Sequence, residues 1–309
     1  MKFSISTIPE IVLVALIAIS QTYFLSSHST VGDGIFYTST FESLKSAGLF
    51  DGYTLFQDGV GASEFFSYLI FYFAAQTVSY DLFIYLTNVS LAFAIYLLYK
   101  NYEKGIIWYI LTVPLNFYFL VSCFGAQRLK LGIFFLVLAI ITSNRVRSKI
   151  FTGLALFSHF QILIILAAEY IKGFFTGKAR IPFMEIAVAI AICVGVVLSV
   201  PMLQIKILSY ILERGEVNLY TFLFSFLIAA YISKFNLAVI AEFFFFFLLI
   251  LVIGESRVNI LVFFVLWRLI FLERKYPAFV AYPISLYLSV KGVIFMLDVA
   301  NGGTGFAVP

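Results

Sequence analysis

Apolar stretches of near-spanning length follow one another along almost the whole of the 309-residue chain, with short polar turns between them. A membrane-crossing helix needs roughly 20 mostly apolar residues. Lipid gives the backbone no hydrogen-bond partner, so the chain must satisfy its own amides, and these runs read as helices. The expected fold is therefore all-α: a polytopic integral membrane protein with about nine to eleven hydrophobic helices in one transmembrane domain over residues 1–309. Composition agrees. The chain is 62% hydrophobic and 12% charged, and 38 Phe with 19 Tyr exceed what a soluble core needs. No segment is long and polar enough for a separate soluble domain. The net charge of +4 is spread through turns, the usual juxtamembrane pattern, and does not point to nucleic acid. Cys123 and Cys193 lie in apolar surroundings and fit neither a disulfide framework nor a metal spacing.

Charge placement orders the spans. The first runs from Ile8 to Leu25, and Lys2 ahead of it favours a cytoplasmic N-terminus. It reads as an uncleaved helix, not a signal peptide. Residues 26–60 carry Asp33, Glu42, Asp51 and Asp58 against one base, Lys45, and form an outer loop. In residues 61–79, Glu64, Ser67, Tyr68 and Tyr72 recur at helical spacing as one polar-aromatic stripe. This segment reads as interfacial or re-entrant, because a full crossing would put the basic turn 100–104 outside. Gly105 to Phe124 goes outward with a kink at Pro114, and Leu129 to Thr142 returns to Arg145, Arg147 and Lys149, the densest basic turn. Ile150 to Ile171 should then run outward, yet Lys172, Lys178 and Arg180 follow it. Counting from either end agrees only if a segment around His159 is re-entrant. Further spans are read at 183–200, 219–233, 235–253, 258–272 and 276–297.

Several polar residues stand out against this background. Arg128 opens one apolar helix beside Gln127, with Lys130 two residues on. It is either a snorkelling helix-end arginine or a fixed guanidinium fork suited to a diphosphate. His159 lies well inside an apolar run, as a helix–helix hydrogen-bonding residue or as a catalytic group. Glu255 and Arg257, in Gly254-Glu-Ser-Arg257, make an interhelix turn or a second cationic site. Asp33 is flanked by Gly32 and Gly34 with Tyr37 four residues on, a turn aspartate or a general base. Walker A, dinucleotide-binding, zincin and serine-nucleophile motifs are absent.

The order of these features, from the Asp33 loop and the Glu64 helix through Gln127-Arg128, the basic turn 145–149 and Ser158-His159-Phe160 to the late Arg257, resembles the EpsG/Wzy-type polysaccharide polymerases of bacterial inner membranes. The likeness is best over residues 30–170. It implies a GT-C-like glycosyltransferase architecture and multi-pass placement in the bacterial inner membrane. It also implies polymerisation of undecaprenyl-diphosphate-linked oligosaccharides at the outer face, with a chain-length regulator and a flippase as partners. No nucleotide sugar, metal or other cofactor is expected, and no nucleic acid. On this reading Arg128 and Arg257 neutralise the leaving diphosphate, as preorganised charge does elsewhere. Asp33 is the first candidate base and His159 the second. Gln127, Tyr37, Glu64 and Glu255 join the substrate-binding set, and Tyr68 and Tyr72 offer stacking faces. A transporter or flippase of the lipid-linked unit is the rival class; the lack of an internal repeat weighs against it. A membrane acyltransferase or ligase is a second rival.

Overall fold

The computed structural model describes residues 7–28, 33–61, 64–177, 219–272 and 281–303. All regular structure in them is helical. Three helices are long and apolar enough to cross a membrane: Ile8–Ser26, Tyr80–Asn101 and Tyr282–Ala300. A bent pair, Ile106–Thr112 and Phe117–Phe124, makes a fourth when counted as one broken span. The protein is an all-α membrane protein. The span read at 183–200 lies outside the described residues.

The chain divides into two compact units, residues 1–162 with 282–309, and residues 163–281. The first holds α1 (Ile8–His28), α2 (Asp33–Leu44), α3 (Leu49–Val60), α4 (Phe65–Ala75), α5 (Tyr80–Asn101), α6 (Ile106–Thr112), α7 (Phe117–Phe124), α8 (Gln127–Ile141) and α9 (Arg145–Ser158). Next, α10 (Ile162–Phe175) starts at the boundary. The second unit continues with α11 (Tyr220–Ile232), α12 (Leu237–Ile253) and α13 (Glu255–Trp267), which runs into a π-helical turn at Arg268–Leu272. The last helix, α14 (Ala281–Ala300), returns to the first unit.

Two polar links fix the frame of the first unit. Lys100 Nζ pairs with Glu10 at 2.6 Å, and Asn88 Nδ2 donates to Thr22 Oγ1 at 3.1 Å. The two pairs set α1 and α5 antiparallel, so the end of α1 and the start of α5 lie on one side. The intervening α2, α3 and α4 therefore make no net crossing. At 1.5 Å per residue, the eleven residues of α4 cover about 16 Å, half of a hydrocarbon core.

The polar stretch 26–60 is not irregular, as a loop reading would have it. It contains two short helices, and Asp33 begins the first of them instead of sitting in a turn. The reason lies in their inward faces. Tyr37, Phe41 and Leu44 from α2 and Phe56 from α3 are buried with Tyr68 and Phe71 of α4 and Phe83 of α5. Phe71 and Phe83 meet edge to face at 4.9 Å, and Phe41 stacks on Phe83 at 5.5 Å. Such pairs contribute about 0.5–1.5 kcal/mol each beyond area burial. Of the stripe, Tyr68 and Tyr72 face this core, and Tyr68 OH donates to the Leu49 carbonyl; just past α4, Gln76 Nε2 donates to the Leu44 carbonyl at 2.8 Å.

The expected kink at Pro114 is a full break, with α6 and α7 at 79°. Proline removes one amide and clashes with the preceding turn, and the freed carbonyls find partners from neighbouring helices. Gln21 Nε2 donates to Pro114 O at 2.6 Å and Ser285 Oγ to Leu111 O at 2.7 Å. Asn116 restarts the helix by accepting from the amides of Tyr118 and Phe119.

In the second unit, Phe222 of α11 lies against Phe243 of α12 with ring centres 6.3 Å apart. Glu169 of α10 pairs with Arg268 at the start of the π-helical turn, and Glu242 and Asn259 are buried.

Candidate functional site

Four residues singled out in the sequence meet in the first unit. Arg128 lies in the first turn of α8, a position where a cation opposes the helix dipole. Its Nη1 pairs with Glu64 Oε2 at 2.5 Å, and its Nε donates to Tyr37 OH at 3.2 Å. The second oxygen of Glu64, Oε1, is 2.9 Å from His159 Nδ1. Glu64 thus bridges a guanidinium and an imidazole. Side-chain exposure is 14% for Arg128, 7% for Glu64 and 14% for His159, so all three are largely withdrawn from solvent.

Each residue is placed by a local feature. Glu64 precedes α4 in extended backbone, as its N-cap, which aims its carboxylate away from the helix. Burial alone would raise its pKa, but the Arg128 guanidinium and the His159 imidazole beside it hold it down at about 2. Tyr37 comes from the buried face of α2. His159 does not sit inside a helix, as the continuous apolar run 150–171 suggested. It caps α9 with extended backbone (φ −160°, ψ 118°), and the chain restarts as α10 three residues later. The break is satisfied from outside: buried Ser67 of α4 donates to the Ser158 carbonyl at 2.6 Å, and Ile162 N donates to the His159 carbonyl at 3.0 Å. Neither proline nor glycine marks this break in the sequence.

Close approach of α8 to the break depends on Gly132. A Cβ there would lie 2.9 Å from Ile162 Cγ1 and 3.3 Å from His159 Cβ. Gln161, next to the singled-out triplet, completes the cluster with Oε1 3.1 Å from His159 Nε2. Both ring nitrogens thus face oxygens. A doubly protonated ring donates to both; a neutral ring donates from Nδ1 to Glu64 and accepts at Nε2 once the Gln161 amide turns over.

The arrangement has a fixed cation, a carboxylate-oriented imidazole and a phenol in one hydrogen-bonded cluster. Arg128 Nη2 makes no hydrogen bond among the described residues, which leaves it as a donor for an incoming oxyanion. The other singled-out residues lie elsewhere. Gln127 is buried, and its amide nitrogen donates to the Cys123 and Phe124 carbonyls at the end of α7. Tyr68 is buried in the aromatic core, and Tyr72 OH donates to the Ala47 carbonyl at 3.3 Å. The side chains of Asp33, Glu255 and Arg257 lie outside the described residues; the backbone of the last two opens α13 in the second unit. Among the described residues no group of three or more His, Cys, Asp or Glu is placed to hold a metal ion.

Fold and site together define an all-helical membrane protein with a largely buried, charged cluster in its first unit. The chain matches no family model, no curated protein and no solved structure.

Proposed function

We propose that this chain is a glycosyltransferase that joins undecaprenyl-diphosphate-linked oligosaccharide repeat units into a surface polysaccharide at the outer face of the bacterial inner membrane. One observation carries the reading: Tyr37, Glu64, Arg128 and His159, from four separate segments, form one hydrogen-bonded cluster. Arginine and histidine buried in a membrane protein are costly and mark functional sites. A fixed cation beside an oriented imidazole is what displacement of a diphosphate by a hydroxyl requires.

On this reading the acceptor hydroxyl takes the place of the Gln161 amide at His159 Nε2 and gives up its proton there. Its oxygen bonds the anomeric carbon of the donor sugar. The bond from that carbon to the diphosphate oxygen breaks, and the diphosphate leaves with the bonding pair. The open donors of Arg128 meet the charge that develops on it. Glu64 accepts from Nδ1–H throughout, holding the ring in one tautomer and stabilising the imidazolium once formed. Tyr37 holds Arg128 Nε and fixes the plane of the fork.

The test is polymer length on a gel. Deletion should collapse the polysaccharide ladder to a single repeat. His159→Gln should cost about 10²–10⁴-fold in rate, as loss of a general base does, with normal protein level. Arg128→Lys should fail too, since it keeps the charge and loses the fork. An unchanged ladder in the deletion strain would overturn the reading, and lipid-linked units held on the cytoplasmic leaflet would replace it with a flippase. Loss of polymer in Asp33→Asn but not in His159→Gln would move the base to Asp33.

A further inference from the structure

Lys130 is 1% exposed, whereas Arg128 and Arg268, the largely buried arginines, each meet a carboxylate. Its Nζ donates to Thr87 Oγ1 and to Asn88 Oδ1, both at 2.8 Å, and no acidic partner reaches it among the described residues. From there the hydrogen bonds run one way. Thr87 Oγ1 donates to the Phe83 carbonyl at 2.9 Å, Asn88 Nδ2 to Thr22 Oγ1 at 3.1 Å, and Thr22 Oγ1 to the Ala18 carbonyl at 2.7 Å. Lys130 is the head donor of a chain that crosses from α8 through α5 to α1. Two acceptors match the two N–H groups of a neutral amine. An ammonium would add a third N–H and a charge for which the described residues offer neither a further acceptor nor a carboxylate.

The position of Lys130 gives this chain a purpose. Two residues along a helix turn about 200°, so Lys130 and Arg128 leave the first turn of α8 on opposite sides. Arg128 is held by Glu64 and Tyr37, and Lys130 by α5. The start of α8 has no capping side chain to fix it, since its N-cap is Ala126. We propose that Lys130 is a positioning residue: as a neutral donor anchored to Thr87 and Asn88 it sets the rotation of α8, and that rotation holds Arg128 against Glu64. The inference rests on the Arg128 cluster being the site of the reaction proposed above, and adds a residue that touches no substrate.

The test compares Lys130→Met with the triple variant Thr87→Val, Asn88→Leu, Lys130→Met. The single variant leaves half-buried Thr87 Oγ1 and buried Asn88 Oδ1 without the amine donor, whereas the triple replaces the group by apolar side chains of the same shape, which can be nearly neutral. Two readouts are used on the full chain in detergent. One is the Nε–H signal of Arg128 in ¹⁵N-arginine-labelled protein, assigned by its loss in Arg128→Lys, with its protection from solvent exchange. The other is polymer formation. Lys130→Met should lose the protection and cut polymerisation about 10- to 100-fold, the effect of a misplacement of about 1 Å. The triple variant, which packs without the anchor, should fold and still lack both, and it supports the inference even where the single variant does not accumulate. Full protection and activity in Lys130→Met would overturn it. So would a folded triple variant that keeps the protected Arg128 signal, since the anchor would then not set the rotation of α8. A wild-type protein that shows the protected signal but makes no polymer would sink the polymerase reading alone, and the signal in the two variants would still decide the role of Lys130.

Discussion

Glu64→Gln is the sharpest perturbation of the cluster because it removes charge and little else. The amide has the shape of the carboxyl, its oxygen still accepts from Arg128, and its nitrogen donates to His159 Nδ1 once the ring carries its proton on Nε2 and donates to Gln161 Oε1. What disappears is the anion shared by the two. Arg128 is then a largely buried cation without a counterion, a change that costs about 3–5 kcal/mol. Because 14% of the Arg128 side chain still reaches solvent, the lower end of that range applies. About 3 kcal/mol is roughly a hundredfold in the folded-to-unfolded ratio. The built-in control is Glu42→Gln. Glu42 pairs with Lys45 at 2.6 Å, but the two are 52% and 40% exposed, and such pairs contribute about 0–1 kcal/mol. The assay is thermal or denaturant unfolding of the purified protein in one detergent. Combining Glu64→Gln with Arg128→Gln removes both charges and should recover part of the loss, which a double-mutant cycle reads directly. The sign with pH follows from the depressed pKa of Glu64. The group stabilises the fold above its ordinary value of 4.5 and ceases to do so as pH falls toward about 2. The gap between wild type and Glu64→Gln should therefore be constant above about pH 5 and close below it. If Glu64→Gln is no less stable than Glu42→Gln, the carboxylate does not carry the charge balance argued for it.

Three further outcomes follow from the same geometry. Gly132→Ala should lower both stability and polymer formation, because its Cβ meets Ile162 and His159, whereas Gly153→Ala, with nothing within 4 Å, should gain up to about 1 kcal/mol from helix propensity; equal effects on unfolding and on the polysaccharide ladder would remove the tight α8 approach from the account. Ser67→Ala strips the buried Ser158 carbonyl of its donor and should cost about 1–3 kcal/mol in unfolding measurements and loosen the His159 break; a neutral result would mean the break is held by packing alone. A chelator added to purified protein with lipid-linked donor should leave the polymerisation rate intact, since arginine neutralises the diphosphate in the proposed mechanism; a rate restored only by Mg²⁺ or Mn²⁺ would replace that mechanism with a metal-dependent one.

Much of the site was legible because each polar residue in it is out of place by composition. Arg128, His159 and Glu64 stand in apolar segments, and expensive residues are visible one at a time. Their roles were less visible. Gln127 looked like a neighbour of the cation, yet its amide caps α7. Lys130 looked like a second cation beside Arg128, yet it is buried on the far side of α8 and donates to α5. Asn88, polar inside a spanning run, was the signal that would have found its partner. Glu242 and Arg268 in the second unit were open to the same reasoning, being charged residues within apolar runs.

By itself, the sequence determined the class: repeated apolar runs of spanning length leave the backbone no stable state in lipid but helices. It also determined the break at Pro114, because proline disrupts a helix from within its own chain. The break at His159 was decided only by tertiary structure. No residue from Ser158 to Gln161 forbids a helix, and the extended backbone there holds because Ser67, 91 residues away in sequence, takes the carbonyl that the helix gives up. The meeting of Tyr37, Glu64, Arg128 and His159 was decided the same way. Their spacing of up to 122 residues carries no periodicity to read, and they come together only because α1 and α5 pair antiparallel, α2 to α4 fold back on one side, and a glycine lets α8 approach the break.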